Sequence, residues 1–268
     1  MKGAFVLAFV VFASASAFAS ISMVYPSPTL IEDASVVQLG SVEPGQVFEA
    51  VFSDNTGFQN TEWDALVVDP QTLSLGWKVD SIGKTDTSLV VRVRVPLNAQ
   101  SNVYNLGLDF YSSHEPVLQQ SFVMRVVVKQ PLISAAFSKK SVESITVVDS
   151  PVVYAVSLSN SSIAKQEVVV SSNLPQNWFA TQRIVLEPNS SKDLVLVVTP
   201  KVYGQRTFSF KAVIPEKSLV VKSFTSELNV KPTLKGKFGS AFSGFPFFNF
   251  ALLPFQLFDS FLAFAMPN

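Results

Sequence analysis

The chain has 268 residues, 24 of them phenylalanine, with no cysteine, one histidine, and 20 basic residues balancing 20 acidic ones. The absence of cysteine excludes disulfide scaffolds, thiolate metal sites and cysteine nucleophiles. The zero net charge argues against a nucleic-acid partner, which binds through a basic surface. The hydrophobic content of 48% is enough for one or two buried cores.

Residues 1–19 have the features of a secretory signal peptide. Lys2 supplies a positive start, Ala4–Ala13 is an uncharged apolar run, and Ala17-Phe18-Ala19 places small residues where a signal peptidase binds. An uncleaved N-terminal anchor is the weaker alternative, because the apolar run is short for a membrane-spanning helix. We therefore predict an exported protein that is cleaved after Ala19 and lies at the extracellular face of the cell membrane or in the cell envelope.

The body of the chain has the pattern of β-strands. Several segments alternate apolar and polar residues, as Val91-Arg92-Val93-Arg94-Val95 does, which is typical of a strand with one solvated face. Turn-forming residues such as Glu43-Pro44-Gly45 and Asp69-Pro70 separate these segments. No stretch of the body has a sustained helical period. The pattern predicts an all-β fold built from short strands.

The two halves of the body resemble each other. The matching pairs are Gly76–Val79 with Asn177–Ala180, Leu89–Val95 with Leu194–Val198, and Leu106–Tyr111 with Thr207–Val213. Each half has about a hundred residues, the usual size of an immunoglobulin-like sandwich. We predict two tandem immunoglobulin-like β-sandwiches, residues 20–130 and 131–234, joined near Gln130-Pro131.

The last segment, residues 235–268, is rich in phenylalanine. Residues 238–268 contain ten Phe and a single charge, Asp259. On a helix, a narrow polar stripe that includes Asn249 and Gln256 would lie opposite a wide aromatic surface. We predict that this surface contacts a membrane or a membrane protein through Phe247, Phe250, Phe255, Phe258, Phe261 and Phe264. The segment could span the bilayer obliquely, lie in its interface or dock in a partner groove, and the alternative is a tail that completes its own sandwich core.

The second half carries motifs of a known kind of module. It contains Leu174-Pro175-Gln176-Asn177-Trp178, followed by Glu187-Pro188-Asn189-Ser190-Ser191 before an alternating strand that ends at Pro200. It resembles the immunoglobulin-like accessory modules of archaeal and bacterial envelope proteins that are found beside alpha-galactosidase carbohydrate-binding domains. Asn189 stands where those modules have glycine, and asparagine tolerates the left-handed backbone of such a turn. The resemblance implies an all-β surface module without catalytic residues.

Three tryptophans and the acidic turns are the remaining candidates for a binding site. We expect Trp77 and Trp178 to pack in the cores, whereas Trp63, flanked by Glu62 and Asp64, is the best candidate for exposure. The acidic turn residues Asp54, Asp64, Asp69, Asp80 and Asp86 lack the spacing of a known calcium loop. His114 lies in a polar turn without a nucleophile elbow. We predict no cofactor, no metal site and no enzymatic activity.

Two acceptor sequences for N-glycosylation occur, at Asn160-Ser161-Ser162 and Asn189-Ser190-Ser191. Both fall in predicted surface turns, where a glycan would be sterically possible.

These features favour a non-enzymatic cell-envelope protein that acts as a spacer, adhesion or scaffold module and is held at the membrane by its C-terminal segment. The first alternative is a secreted binding module for a glycan or an envelope partner, which predicts an exposed Trp63 or Trp77. The second is a subunit of a larger membrane complex, with the tail buried among partner helices.

Overall fold

A computed structural model describes residues 19–58, 61–113, 118–140 and 145–233, together with Phe258 and Phe261. The first nine strands are β1 (Ile21–Tyr25), β2 (Thr29–Ile31), β3 (Val36–Val42), β4 (Val47–Ser53), β5 (Ala65–Val68), β6 (Lys78–Lys84), β7 (Ser88–Arg94), β8 (Asn102–Tyr111) and β9 (Gln119–Val128). The others are β10 (Ile133–Lys139), β11 (Ile145–Val147), β12 (Val152–Asn160), β13 (Gln166–Ser172), β14 (Gln182–Leu186), β15 (Ser190–Val198), β16 (Gly204–Ile214) and β17 (Leu219–Lys231), with a 3₁₀ turn at Pro215–Lys217.

The described residues form two compact units. Unit 1 falls within Met1–Gly40, Val47–Pro96 and Asn102–Val127, and unit 2 within Ser41–Gln46, Leu97–Ser101 and Val128–Asn268. Unit 2 therefore includes two short segments that the sequence places in the first domain. The domain boundaries given above, residues 1–19, 20–130, 131–234 and 235–268, stay predictions.

The strands of the first half form two sheets, in the orders β2-β1-β4-β7-β6 and β3-β9-β8-β5. Strands β1, β4, β7 and β6 occupy the places of strands A, B, E and D of an immunoglobulin domain, and β5, β8 and β9 those of C, F and G. The second half has sheets β10-β12-β15 and β11-β17-β16-β13-β14. These orders confirm the predicted all-β fold with two tandem immunoglobulin-like sandwiches.

The alternation predicted for Val91–Val95 is confirmed. Val91, Val93 and Val95 are fully buried, whereas Arg92 and Arg94 are exposed. Strand β7 lies between β4 and β6, so its inward side chains fill the core of unit 1 while its arginines remain in water.

The internal repeat holds for strands β7 and β15 and for β8 and β16, but it breaks at the strand after the repeated tryptophan. Strand β6, which follows Trp77, pairs with β7, whereas β14, which follows Trp178, pairs with β13. The two strands therefore belong to opposite sheets of their sandwiches. The second half has the arrangement in which this strand extends the sheet that contains strands C, F and G.

Aromatic side chains fill both cores. In unit 1 the ring of Phe110 lies 5.1 Å from that of Phe52 and 5.9 Å from that of Trp63. In unit 2 the ring of Phe210 lies 5.2 Å from that of Tyr154 and 5.1 Å from that of Phe179. Edge-on contacts of this kind add to the free energy gained by burying the rings.

Candidate functional site

Two residues of the predicted contact surface in the tail are described. Phe258 and Phe261 have helical backbone conformation, and their exposed fractions are 64% and 66%. Residues three apart on a helix lie on the same side, so the two rings share one face. The other predicted contact residues, Phe247, Phe250, Phe255 and Phe264, lie outside the described residues. Within the described part of the chain, no helix is long and apolar enough to cross a membrane.

All three tryptophans of the chain are buried. Trp77 and Trp178 have exposed fractions of 5% and 6%, which confirms the prediction that they are core residues. The expectation that Trp63 is exposed is wrong, because it is completely buried and its Nε1 donates to the Ser20 carbonyl at 3.2 Å. The flanking Glu62 and Asp64 point outward instead, where both contact Lys84.

Lys84 joins two carboxylates on the surface of unit 1. Its Nζ lies 3.1 Å from Glu62 Oε2 and 3.2 Å from Asp64 Oδ1. Desolvation by itself lowers the pKa of Lys84, but the hydrogen bonds and charges of the two carboxylates outweigh it, so the pKa lies above its usual value. Asp64 also accepts hydrogen bonds from the backbone N–H and hydroxyl of Ser113. Since these groups are partly exposed, the cluster is a surface ion-pair network of small energetic value.

The expectation that Asp80 lies in a turn is wrong, because it belongs to strand β6, where it pairs with Arg94. Arg94 donates two hydrogen bonds to the Asp80 carboxylate, at 3.1 and 2.6 Å, and this contact lowers the pKa of Asp80. Asp69 accepts from the Gln71 backbone N–H at 2.9 Å, and Asp54 is buried. Over residues 19–58, 61–113, 118–140 and 145–233, no group of three or more acidic, histidine or cysteine side chains is placed to hold a metal ion. His114 lies outside the described residues.

A buried polar cluster of unit 2 centres on Glu43. The carboxylate, only 2% exposed, receives the Lys217 Nζ on Oε2 at 2.7 Å. Its other oxygen, Oε1, accepts the backbone N–H groups of Leu132 and Ile133, at 2.5 and 3.2 Å. Lys217 is itself nearly buried, with 10% of its side chain exposed. The Glu43–Lys217 pair therefore links residues 41–46 to the backbone at the start of β10.

Gln46 extends this cluster. Its Oε1 accepts the Glu43 backbone N–H at 2.8 Å and the Ser162 hydroxyl at 2.6 Å, and its Nε2 donates to Gln166 Oε1 at 2.9 Å. The turn predicted at Glu43-Pro44-Gly45 brings Glu43 and Gln46 together, and it requires glycine because Gly45 has a φ of +82°. A Cβ at Gly45 would also lie 2.5 Å from Leu97 Cδ2. The sequence revealed the turn but gave no signal for its distant partners, Lys217 and Gln166.

Tyr154 is a buried titratable residue in the core of unit 2. Burial raises the pKa of its hydroxyl, and a 3.2 Å hydrogen bond with the Ser226 hydroxyl offsets this only in part. The hydroxyl is therefore neutral at physiological pH, and its ring serves the packing of the core.

The two glycosylation candidates differ in accessibility. Asn160 is only 1% exposed, and its Nδ2 donates to the carbonyls of Ala164 at 2.8 Å and Glu187 at 3.0 Å. Its Oδ1 accepts the Ser162 backbone N–H at 2.9 Å. The expectation that Asn160 lies at the surface is therefore wrong. Its side chain is buried at the end of strand β12, where it hydrogen-bonds to neighbouring backbone groups. A glycan on Nδ2 would break these contacts.

Asn189 has the position that the sequence predicted. It is exposed and has a φ of +48°, the left-handed conformation expected for the turn before β15. Glycosylation therefore stays a prediction, and for Asn189 alone.

We expect Asn160→Ala to lower the free energy of unfolding by about 2–3 kcal/mol, because it leaves buried carbonyls and an N–H without partners. Asn189→Gly is the matched control, since glycine adopts the same backbone conformation, and we expect a change within about 0.5 kcal/mol. Urea unfolding of both variants measures the difference. Equal effects of the two substitutions would contradict the structural role of Asn160.

No family model matches the chain, and no curated protein sequence matches it. The resemblance to modules beside alpha-galactosidase carbohydrate-binding domains therefore stays a prediction.

Solved structures with a similar arrangement include a chimeric titin Z1Z2 functionalized with a peptide from decorin, at 15% identity and a TM-score of 0.42, covering 81% of this chain and 98% of that one. The fibronectin(III)-like modules of Clostridium thermocellum CbhA are 13% identical, cover 79% and 94%, and have a TM-score of 0.30. The D00-D0 domain of intimin is 16% identical, covers 79% and 96%, and has a TM-score of 0.25. Because all three TM-scores are below 0.5, these similarities carry no argument about function.

Proposed function

We propose that the protein is a non-enzymatic module of the cell envelope, exported through its N-terminal leader and held at a membrane by its Phe-rich C-terminal segment. Its two sandwiches would act as a spacer, adhesion or scaffold element. The observation that supports the anchoring is the exposure of Phe258 and Phe261 on one helical face. Exposing two neighbouring phenylalanine rings to water is unfavourable, so we expect a membrane or a membrane protein to bury them.

The test compares the double variant Phe258→Glu/Phe261→Glu with a matched control, Val202→Glu/Tyr203→Glu, which also changes two adjacent exposed apolar side chains. We expect the tail variant to lose at least about tenfold in partitioning to phosphatidylcholine vesicles, because burying two rings contributes several kcal/mol. The control should partition as the unchanged protein does.

Fractionation of cells tests the same proposal in its natural setting. Deleting residues 238–268 should release the protein from membranes washed with carbonate. If the shortened protein stays bound, the anchoring role is wrong. If the full chain does not bind vesicles but copurifies with membrane proteins in mild detergent, the tail binds a partner complex rather than lipid.

The alternative of a soluble glycan-binding module rested on an exposed tryptophan. Trp63, Trp77 and Trp178 are all buried, so none offers a stacking platform for a sugar ring. We therefore do not favour this alternative.

A further inference from the structure

The first described residues of the chain are bonded into unit 1. Ser20 donates its backbone N–H to the Thr56 carbonyl at 2.8 Å, and its own carbonyl accepts the Nε1 of the buried Trp63 at 3.2 Å. Thr56 is completely buried, and Ala19 is only 8% exposed. The chain is therefore held in place at the residue that would become its amino terminus after cleavage behind Ala19.

One polar atom beside this point has no partner. Gln120 donates its Nε2 to the Ala19 carbonyl, but its Oε1 is buried without a hydrogen bond. An unsatisfied buried carbonyl of this kind costs free energy, and native structures contain few. In the uncleaved chain both donors of Ser20 are directed to the Thr56 carbonyl, the backbone N–H at 2.8 Å and the hydroxyl at 3.5 Å, so neither serves Gln120 Oε1.

We propose that Thr56 and Gln120 form a binding site for the mature α-ammonium group of Ser20. This rests on the proposed export and cleavage after Ala19. Hydrolysis adds the hydroxyl of water to the Ala19 carbonyl carbon and a proton to the Ser20 nitrogen as the peptide bond breaks. The Ala19 carboxylate leaves with the leader, and the Ser20 amine takes up a second proton from solvent.

Cleavage creates the hydrogen-bond donor that Gln120 Oε1 lacks. The ammonium group has three N–H donors in place of one, so it keeps the hydrogen bond to Thr56 and gains a donor for Gln120. The Ala19 carbonyl, which held the amide nitrogen of Gln120, is gone. A half-turn of that amide then presents Oε1 to the ammonium, and the resulting bond is charge-assisted and stronger than a neutral one. Cleavage thereby gives Gln120 Oε1 the donor that it lacks, while Nε2 moves to the place that Oε1 leaves.

The experiment uses two chains that retain the C-terminal segment and are purified in mild detergent, one beginning at Ser20 and one at Ala17. In each we introduce Gln120→Glu, which replaces the amide by a carboxylate. We expect the melting temperature to rise by about 4 °C in the chain that begins at Ser20, because the carboxylate pairs with the ammonium. It should fall in the chain that begins at Ala17, where the carboxylate faces the Ala19 carbonyl.

The matched control is Gln119→Glu, which adds the same charge at the exposed neighbouring position of β9. It should shift both chains alike. The proposal is overturned if Gln120→Glu also shifts both chains in the same direction. If that variant folds in neither chain, acetylation of Ser20 in the unchanged sequence decides: a lower melting temperature supports the site, and an unchanged one overturns it.

The cleavage itself is checked separately by N-terminal sequencing of the exported protein. A start other than Ser20 overturns cleavage after Ala19. The melting comparison, made on chains of defined ends, decides the ammonium site whatever the sequencing shows.

Discussion

Glu43→Ala is expected to lower the free energy of unfolding by about 3–5 kcal/mol, because it breaks a buried ion pair and leaves the Lys217 ammonium without its partner. It also removes the acceptor of two backbone N–H groups, those of Leu132 and Ile133. Lys217→Met should cost less. The carboxylate then keeps its two backbone donors, and methionine still fills the space of the lysine stem.

The control for this pair is Lys201→Met, which breaks the ion pair between Lys201 Nζ and Asp149 Oδ1 at 2.8 Å. Both partners are exposed, by 41% and 65%, so we expect a loss below about 1 kcal/mol. Guanidinium unfolding of the three variants ranks them. If Glu43→Ala proved as mild as Lys201→Met, the Glu43 cluster would have no structural role.

Phe210→Ala is the second substitution with a large expected effect, about 3–5 kcal/mol of unfolding free energy. Phe210 is fully buried in unit 2, and the rings of Tyr154, Phe179, Phe208 and Phe137 all lie within 6.1 Å of its own. Phe137 and Tyr154 lie on one sheet and Phe208 on the other, so the neighbours cannot fill the cavity without shifting strands of both sheets.

Tyr203→Ala provides the comparison, because this aromatic residue is 60% exposed and its removal leaves no cavity. We expect its unfolding free energy to stay within about 0.5 kcal/mol of the unchanged protein. Calorimetric melting of the two variants tests the assignment of the core. A Phe210→Ala protein that melts like Tyr203→Ala would show that the aromatic cluster does not hold unit 2 together.

The strands and turns were predictable because their signals are local. The alternation in Val91–Val95 requires only that one face of a strand meets a core, and Gly45 and Asn189 carry the positive φ values that their turn motifs demand. The burial of Trp63 could have been read from the same alternation, since its two neighbours are acidic and point to water.

The partners of polar side chains were not predictable, because they lie far apart in the sequence. In the sequence Asn160 resembles a turn asparagine. In the structure it is buried, and its Nδ2 donates to the carbonyls of Ala164 and Glu187. Trp77 and Trp178 occupy matching positions of the repeat, whereas the strands that follow them pair in opposite sheets. The sheet that a strand joins depends on which sheet edge is free to pair with it, and local sequence patterns do not specify that edge.

The sequence by itself determined the all-β architecture with two similar halves, the apolar ends and the positions of the turns, because each follows from periodicity or from backbone preferences within a few residues. Only the tertiary structure decided that Glu43 meets Lys217, that Asn160 is internal while Asn189 is exposed, and that Gln120 donates to the Ala19 carbonyl. These contacts join residues up to 174 positions apart, as Lys217 and Glu43 are. Such pairs form only when packed sheets bring distant segments together and remove the water that would otherwise bind their polar groups.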